Sequence, residues 1–277
     1  MPSQNPEWCV KDRCINCMAS RTMAPAFIKE HAGKSVFLRQ PSTPAEVEAA
    51  WRASAVCPVG AVEAPAGLEM PERLFPQYLG DATYRLGFNA KSSYGSHSYF
   101  ALCDGQRFMV DAPRWNAALV DWLTDMGGLN HILLTHRDDV ADAKIYADHF
   151  GARVWIHEAD AASAPFATDI MRGNAPDGPA PSIKVLFVPG HTAGSVMYLM
   201  NKRTLFTGDS LAWDSNAVTL RAYEEYCWFD WKLQLASLGQ LRNHEFSRIF
   251  AGHGESVDLT TIEMQEALSR LLETLTR

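Results

Sequence analysis

Thr135-His136-Arg137-Asp138-Asp139-Val140-Ala141-Asp142 decides how this sequence is read. It overlaps the end of an apolar run, residues 130–135 (NHILLT), with the composition of a buried strand. In an extended segment, residues two apart point the same way. His136 and Asp138 are therefore expected to face one ion together. Three more fragments place a potential ligand beside glycine at the end of a strand-like run. They are Gly190-His191-Thr192-Ala193-Gly194-Ser195, Thr207-Gly208-Asp209 and Ala251-Gly252-His253-Gly254. The glycines let backbone approach closely without a Cβ in the way. Imidazole and carboxylate donors suit Zn, Fe or Mn. His97, His131, His149, His157 and His244 lack such context and are read as structural.

Outward from these fragments, β-rich runs alternate with helical patterns. Residues 98–103 and 107–112 flank Asp104-Gly105, a hairpin signal. Residues 115–126 place Leu119, Trp122, Leu123 and Met126 at helical spacing before Gly127-Gly128. Further strands are expected at 153–157, 183–188, 196–200, 204–207 and 248–251. Further helices are expected at 141–150, after Asp230, and at 260–275. Such alternation predicts an α/β layered domain. Upstream, residues 64–76 carry Pro65, Gly67, Pro71 and Pro76 and read as a linker. The expected organisation is a small domain at 1–63, a linker at 64–76 and a larger domain at 77–277.

The 277 residues are 47% hydrophobic and 21% charged, which excludes a disordered chain. Net charge is −7. Residues 1–66 carry 7 basic and 6 acidic side chains, and the remainder 18 and 26. An acidic main body repels phosphate backbones, so nucleic acid is not an expected partner; the expected partner is a small-molecule substrate. No apolar run reaches the ~20 residues a membrane span requires, and no secretory signal pattern opens the sequence. No membrane partner is expected, and cytoplasm is the expected compartment.

The four ligand-bearing fragments, in this order, resemble the metallo-β-lactamase fold superfamily. Its first motif is T-H-x-H-x-D-H, followed by G-H-T-x-G-S/H, T-G-D and G-H-G. The resemblance covers roughly residues 80–277 and implies a four-layer αββα sandwich with metal at one edge of the paired sheets. It implies a first metal position at His136, Asp138, His191 and Asp209, with Asp138 standing where the second histidine would be. Val140 and Ala141 stand where an aspartate and a histidine of the second position would be. That position keeps Asp209 and His253, with Asp139 or Asp142 available if the loop bulges. One ion is expected, Zn or Fe with Mn as a further option. A carboxylate in place of imidazole makes that ion a weaker Lewis acid.

Six cysteines are present, and four of them fall in the first 57 residues. Cys14-Ile15-Asn16-Cys17-Met18-Ala19-Ser20 and Cys57-Pro58 have the spacing of a ferredoxin-type [4Fe–4S] site. Residues 9–63 thus resemble a small ferredoxin-like α+β domain. Ser20, however, takes the place of the third cysteine. The set Cys14, Cys17, Ser20 and Cys57 is either an unusual cluster site or the vestige of one. Cys103 and Cys227 are read as small packed groups.

The resemblance implies a metal-dependent hydrolase of an ester, lactone, thioester or phosphoester, acting through metal-bound hydroxide. Asp209 would hold the water, and Asp139 or Asp142 would act as base. Two alternatives accompany it. One is an iron-dependent oxygen- or sulfur-processing protein coupled to an Fe–S domain and its electron-transfer partner. The other is a metal-binding protein without turnover. Because Ser20 removes a thiolate, protein purified in air is expected to carry no intact [4Fe–4S] cluster. Iron and acid-labile sulfide assays after anaerobic purification check this. About four of each per chain, beyond the histidine-bound metal, would overturn it.

Overall fold

The computed structural model describes residues 6–275. The first segment runs β1 (Cys9–Val10), α1 (Ala19–Met23), β2 (Ile28–His31), β3 (Lys34–Phe37), α2 (Pro44–Val56) and β4 (Val62–Glu63). β1 pairs antiparallel with β4, and β2 with β3. α2 starts where Thr43 accepts the Glu46 N–H and Pro44 supplies a preset φ. Its inner face, Ala50, Trp51, Ala53 and Val56, packs on Trp8, Phe27 and Ile28. Leu38 is 65% exposed, and Val36 lies outside the cluster. Alternation along β3 explains both: Ser35 and Phe37 take the inner face. Leu74 and Phe75, from the proline-rich connection, pack against the same core. That connection is therefore held in place rather than loose.

The remainder opens with β5 (Gln77–Gly80), β6 (Thr83–Arg85), β7 (Tyr99–Cys103) and β8 (Gln106–Val110). Next come α3 (Ala117–Asp125), β9 (His131–Leu133), α4 (Ala143–Phe150), β10 (Arg153–His157) and β11 (Asp169–Met171). These strands form one sheet, in the order β11-β10-β9-β8-β7-β6-β5. β12 (Ile183–Phe187), β13 (Val196–Met200), β14 (Thr204–Gly208), the hairpin β15 (Ala212–Asp214)/β16 (Thr219–Arg221), α5 (Trp231–Gly239), β17 (Arg248–Ala251), β18 (Val257–Asp258) and α6 (Thr261–Leu275) follow. The second sheet has the order β12-β13-β14-β17-β18. Among the described residues, no sheet takes strands from both sides of the 64–76 connection.

Three apolar contacts stack the layers. Leu119 and Leu123 of α3 pack on Phe100, Met109 and Ile132 of the first sheet. Leu238 of α5 and Leu268 of α6 pack on Met197, Leu205 and Ile249 of the second. Between the sheets, Tyr99, Phe108 and Leu133 meet Tyr198, Phe206 and Phe250. The result is the expected four-layer αββα sandwich. Asn116 and Asp230 cap α3 and α5 by accepting the Leu119 and Leu233 N–H groups.

Phe206 is 1% exposed and lies 5.6 Å, ring to ring, from Tyr99 of the opposite sheet. Phe206→Ala is expected to cost about 3–5 kcal/mol by urea unfolding. Leu38→Ala, on the surface, is expected to stay within about 0.5 kcal/mol.

Candidate metal centre

Four loops at one edge of the paired sheets carry the candidate ligands. The first leaves β9 with His136 fully extended and then tightens into a 3₁₀ turn at Arg137–Asp139. The segment is thus not extended through Asp138, contrary to the sequence expectation. Asp138 still comes near: its Oδ2 lies 3.9 Å from His136 Nε2 and 3.7 Å from His191 Nε2. The turn sends the next residue, Asp139, into the protein, where it is buried. Asp142 is not brought to the site. Its carboxylate accepts the Trp115 N–H at 2.6 Å. The proposed base or rescuing role at Asp142 is therefore corrected, because the side chain is spent on holding the loop before α3.

Asp209 is the meeting point. Its Oδ2 lies 3.5 Å from His136 Nε2, 3.7 Å from His191 Nε2 and 3.7 Å from His253 Nε2. Two triads of donor atoms gather around it: His136, His191 and Asp209 on one side, and Asp139, Asp209 and His253 on the other. His136 Nε2, His191 Nε2, Asp209 Oδ1 and Asp139 Oδ1 are all buried without a hydrogen-bond partner. Orphaned buried polar atoms are rare and costly. Here four lie at and around Asp209, and a cation held by the first triad would satisfy the two imidazole nitrogens.

Side chains around the ligands set their orientation. The Thr135 hydroxyl donates to the Asp111 carboxylate at 2.9 Å. Its oxygen lies 2.9 Å from His136 Nδ1 and can then only accept from it. This network puts the His136 proton on Nδ1 and leaves Nε2 as a free ligand. His253 is oriented similarly: its Nδ1 donates to the Cys17 carbonyl at 3.2 Å. Asp160 ties two loops together. It accepts the Arg137 N–H and the Thr192 hydroxyl on one oxygen and the Gly194 N–H on the other. Ser96 donates to Asp139 Oδ2 at 2.5 Å. Sequence reasoning did not find Asp160, Ser96, Thr135 or the Cys17 carbonyl. A lone Asp or Ser far from a motif carries no spacing signal. Thr135 lay within the decisive stretch, but only the partner Asp111 shows its task.

Proton affinities follow the charges. Burial disfavours a charged His136, but Asp139, Asp209 and Asp111 outweigh it and lift its pKa to about 10. Burial and the neighbouring Asp209 push Asp139 well above the usual carboxylate range. Burial works to raise Asp209 as well, yet the surrounding imidazoles hold it below that range. The centre is a place where positive charge is favoured.

In the small segment, burial raises the Cys17 pKa to about 11, and the nearby Cys57 and Cys14 add to the rise. Ser20 does not join them as a free donor: its buried hydroxyl donates to the Ala53 carbonyl at 2.9 Å. Cys9 is held in β1 opposite Glu63. Of the four spaced positions, three offer a thiol and the fourth a hydroxyl already bonded to α2. Cys17 packs against the larger domain. A Cβ at Gly95 would come within 2.8 Å of its Sγ.

Comparison with known proteins agrees with both halves. The family described as "4Fe-4S single cluster domain of Ferredoxin I" matches residues 10–64. A hydroxyacylglutathione hydrolase of Acidiphilium cryptum (strain JF-5) is 32% identical over 120 residues, 42% of this chain and 49% of that protein. The chain thus spans about half the length of that relative. Among solved structures, a metallo-β-lactamase from Pontibacter korlensis superposes with a TM-score of 0.55 at 18% identity, covering 73% of this chain and 98% of that one. ETHE1 from Myxococcus xanthus gives 0.51 at 19% identity, covering 69% and 84%. The chain has the metallo-β-lactamase fold, and its residues 10–64 match the single-cluster ferredoxin family.

Gly252 passes behind both triads. A Cβ there would lie 2.5 Å from Asp209 Oδ1, 2.7 Å from Ser96 Oγ and 3.2 Å from Asp139 Oδ2. Gly252→Ala is expected to displace these carboxylates and weaken metal binding at least tenfold while the circular dichroism spectrum is kept. Isothermal titration with zinc or iron checks it.

Proposed function

We propose that this protein is a metal-dependent hydrolase of an ester-like bond, built as a 77–277 catalytic domain and a 1–63 domain joined through residues 64–76. One observation supports the reading above others: Asp209 Oδ2 lies 3.5–3.7 Å from three histidine Nε2 atoms. His136, Asp138, His191 and Asp209 would hold one ion, Zn or Fe. When bound, that ion supplies Lewis acidity to the scissile carbonyl or phosphoryl and acidifies water.

The side chains have separate tasks. The Thr135–Asp111 pair keeps the His136 ring turned with Nε2 inward. Asp209 is ionised and anchors the centre. Asp139 Oδ1 has no hydrogen-bond partner, which leaves it free to take a proton from the attacking water and pass it to the leaving group. His253, its Nδ1–H held by the Cys17 carbonyl, borders the pocket and turns the lone pair of Nε2 into it, where it can accept a hydrogen bond. In the balanced reaction, the water oxygen bonds to the reacting centre, the bond to the leaving oxygen or sulfur breaks, and one water proton ends on the leaving group.

The half-exposed Asp138 and the open pocket above it favour turnover over mere metal storage. With three thiols and a committed Ser20, the Fe–S-coupled alternative has no such support. No helix among the described residues is long and apolar enough to cross a membrane.

His191→Ala is expected to lose the bound ion and all hydrolysis. His253→Ala is expected to keep at least half the metal and lose roughly 10- to 100-fold in kcat. Metal analysis beside ester-hydrolysis kinetics checks both. Equal metal loss in the two variants would contradict a single tight site.

A further inference from the structure

The cavity over the metal centre measures about 410 Å³, at the small end of ligand pockets. Its walls come from both domains. Asn16, Cys17 and Met18 of the ferredoxin-like domain face Tyr94, Tyr223, Tyr226 and Trp228 across the carboxylates and imidazoles. The aromatic rings form two rails. Trp228 lies 6.4 Å from the His191 ring and 6.3 Å from Tyr226, which lies 6.1 Å from Tyr223. On the other side Tyr94 lies 6.2 Å from the His253 ring. Trp228 is 59% exposed, and Tyr94 and Tyr226 nearly half. Large apolar faces left open beside a reactive centre mark a binding surface.

Equally telling is what the lining lacks. No lysine or arginine is among the described residues that line the cavity. Arg137, Arg21 and Arg221, which neighbour lining residues, are engaged, while the exposed Lys91 precedes the lining Ser92. Arg137 faces Asp138 at 3.7 Å. Arg21 donates to Asn16 and Ser35. Arg221 pairs with Asp214 and lies over the Tyr223 ring. Meanwhile Asp138, Asp139 and Asp209 bring three carboxylates to the floor. Among the described lining residues, a phosphate or carboxylate group entering here finds no fork of cationic donors.

Resting on the hydrolase reading above, we infer that the substrate is an uncharged carboxylic ester or lactone with a flat, aromatic portion. The ring would slide between the rails while its carbonyl reaches the centre. Water's oxygen bonds to the carbonyl carbon, the acyl C–O bond breaks, and the leaving phenolic oxygen takes a proton, giving a carboxylic acid and a phenol. Phosphoesters and S-acylglutathiones, whose carboxylates need cationic partners, would be poor substrates.

The test is steady-state kinetics of the metal-loaded full chain with phenyl acetate and dihydrocoumarin against bis(p-nitrophenyl) phosphate and S-lactoylglutathione. The expected result is a kcat/KM at least 100-fold higher for the uncharged aryl pair. Trp228→Ala should shrink the preference for phenyl over ethyl acetate about threefold or more, mostly through KM, as loss of ring contact predicts. An equal or higher rate on either anionic substrate overturns the inference and leaves the hydrolase reading intact. If nothing is hydrolysed, the hydrolase reading fails, and calorimetric binding decides the pocket's character. Dihydrocoumarin bound at least tenfold more tightly than S-lactoylglutathione upholds it, and the reverse or equal order overturns it.

Discussion

Asp209 is a carboxylate only 10% exposed and surrounded by three imidazole nitrogens, and the rest of the site is arranged around it. An ionised carboxylate away from water costs several kcal/mol unless positive charge is supplied. His136, His191 and His253 each turn Nε2 toward it, and none of the three stands on the same loop as another. Holding four loops against one oxygen requires a rigid frame, and the paired sheets provide it. Buried Asp160 then locks the His136 loop to the His191 loop through three hydrogen bonds. Asp139, close to Asp209, is held by the Ser96 hydroxyl, and burial and the repulsion between the two carboxylates raise its proton affinity.

The ferredoxin-like domain takes part in this arrangement. Its Cys17 carbonyl fixes the His253 ring, its Thr22 hydroxyl meets buried His97, and Tyr94 reaches back to the Ile15 carbonyl. Gly95 leaves room for the Cys17 thiol. A domain whose sequence spacing suggests a cluster is used here as a wall of the cavity. Ser20 shows the same change of task at one position, where a hydroxyl bonded to α2 stands in the place of a cluster thiolate.

Much of this was legible in the sequence, for physical reasons. Long periodic runs such as 153–157 and 261–275 declare themselves because burial on one face dictates the pattern. His136, His191, Asp209 and His253 stand out because glycines and strand ends accompany them. The 3₁₀ turn at Arg137–Asp139 was not legible. It divides Asp138 and Asp139 between the two triads and leaves Asp142 to cap a backbone N–H. Short strands such as β5, β6 and β11 escaped because their partners, not their own residues, make them strands. Asp160 and the Cys17 carbonyl act across long sequence separations, which spacing cannot express.

X-ray absorption at the edge of the bound metal tests the central claim most directly, because it reads the donor atoms themselves. Asp209 at the hub of the histidines predicts two imidazoles and further oxygen donors at about 2.0–2.2 Å, with no sulfur. A sulfur shell at about 2.3 Å would place the ion on the Cys17 side of the cavity, and would contradict the account.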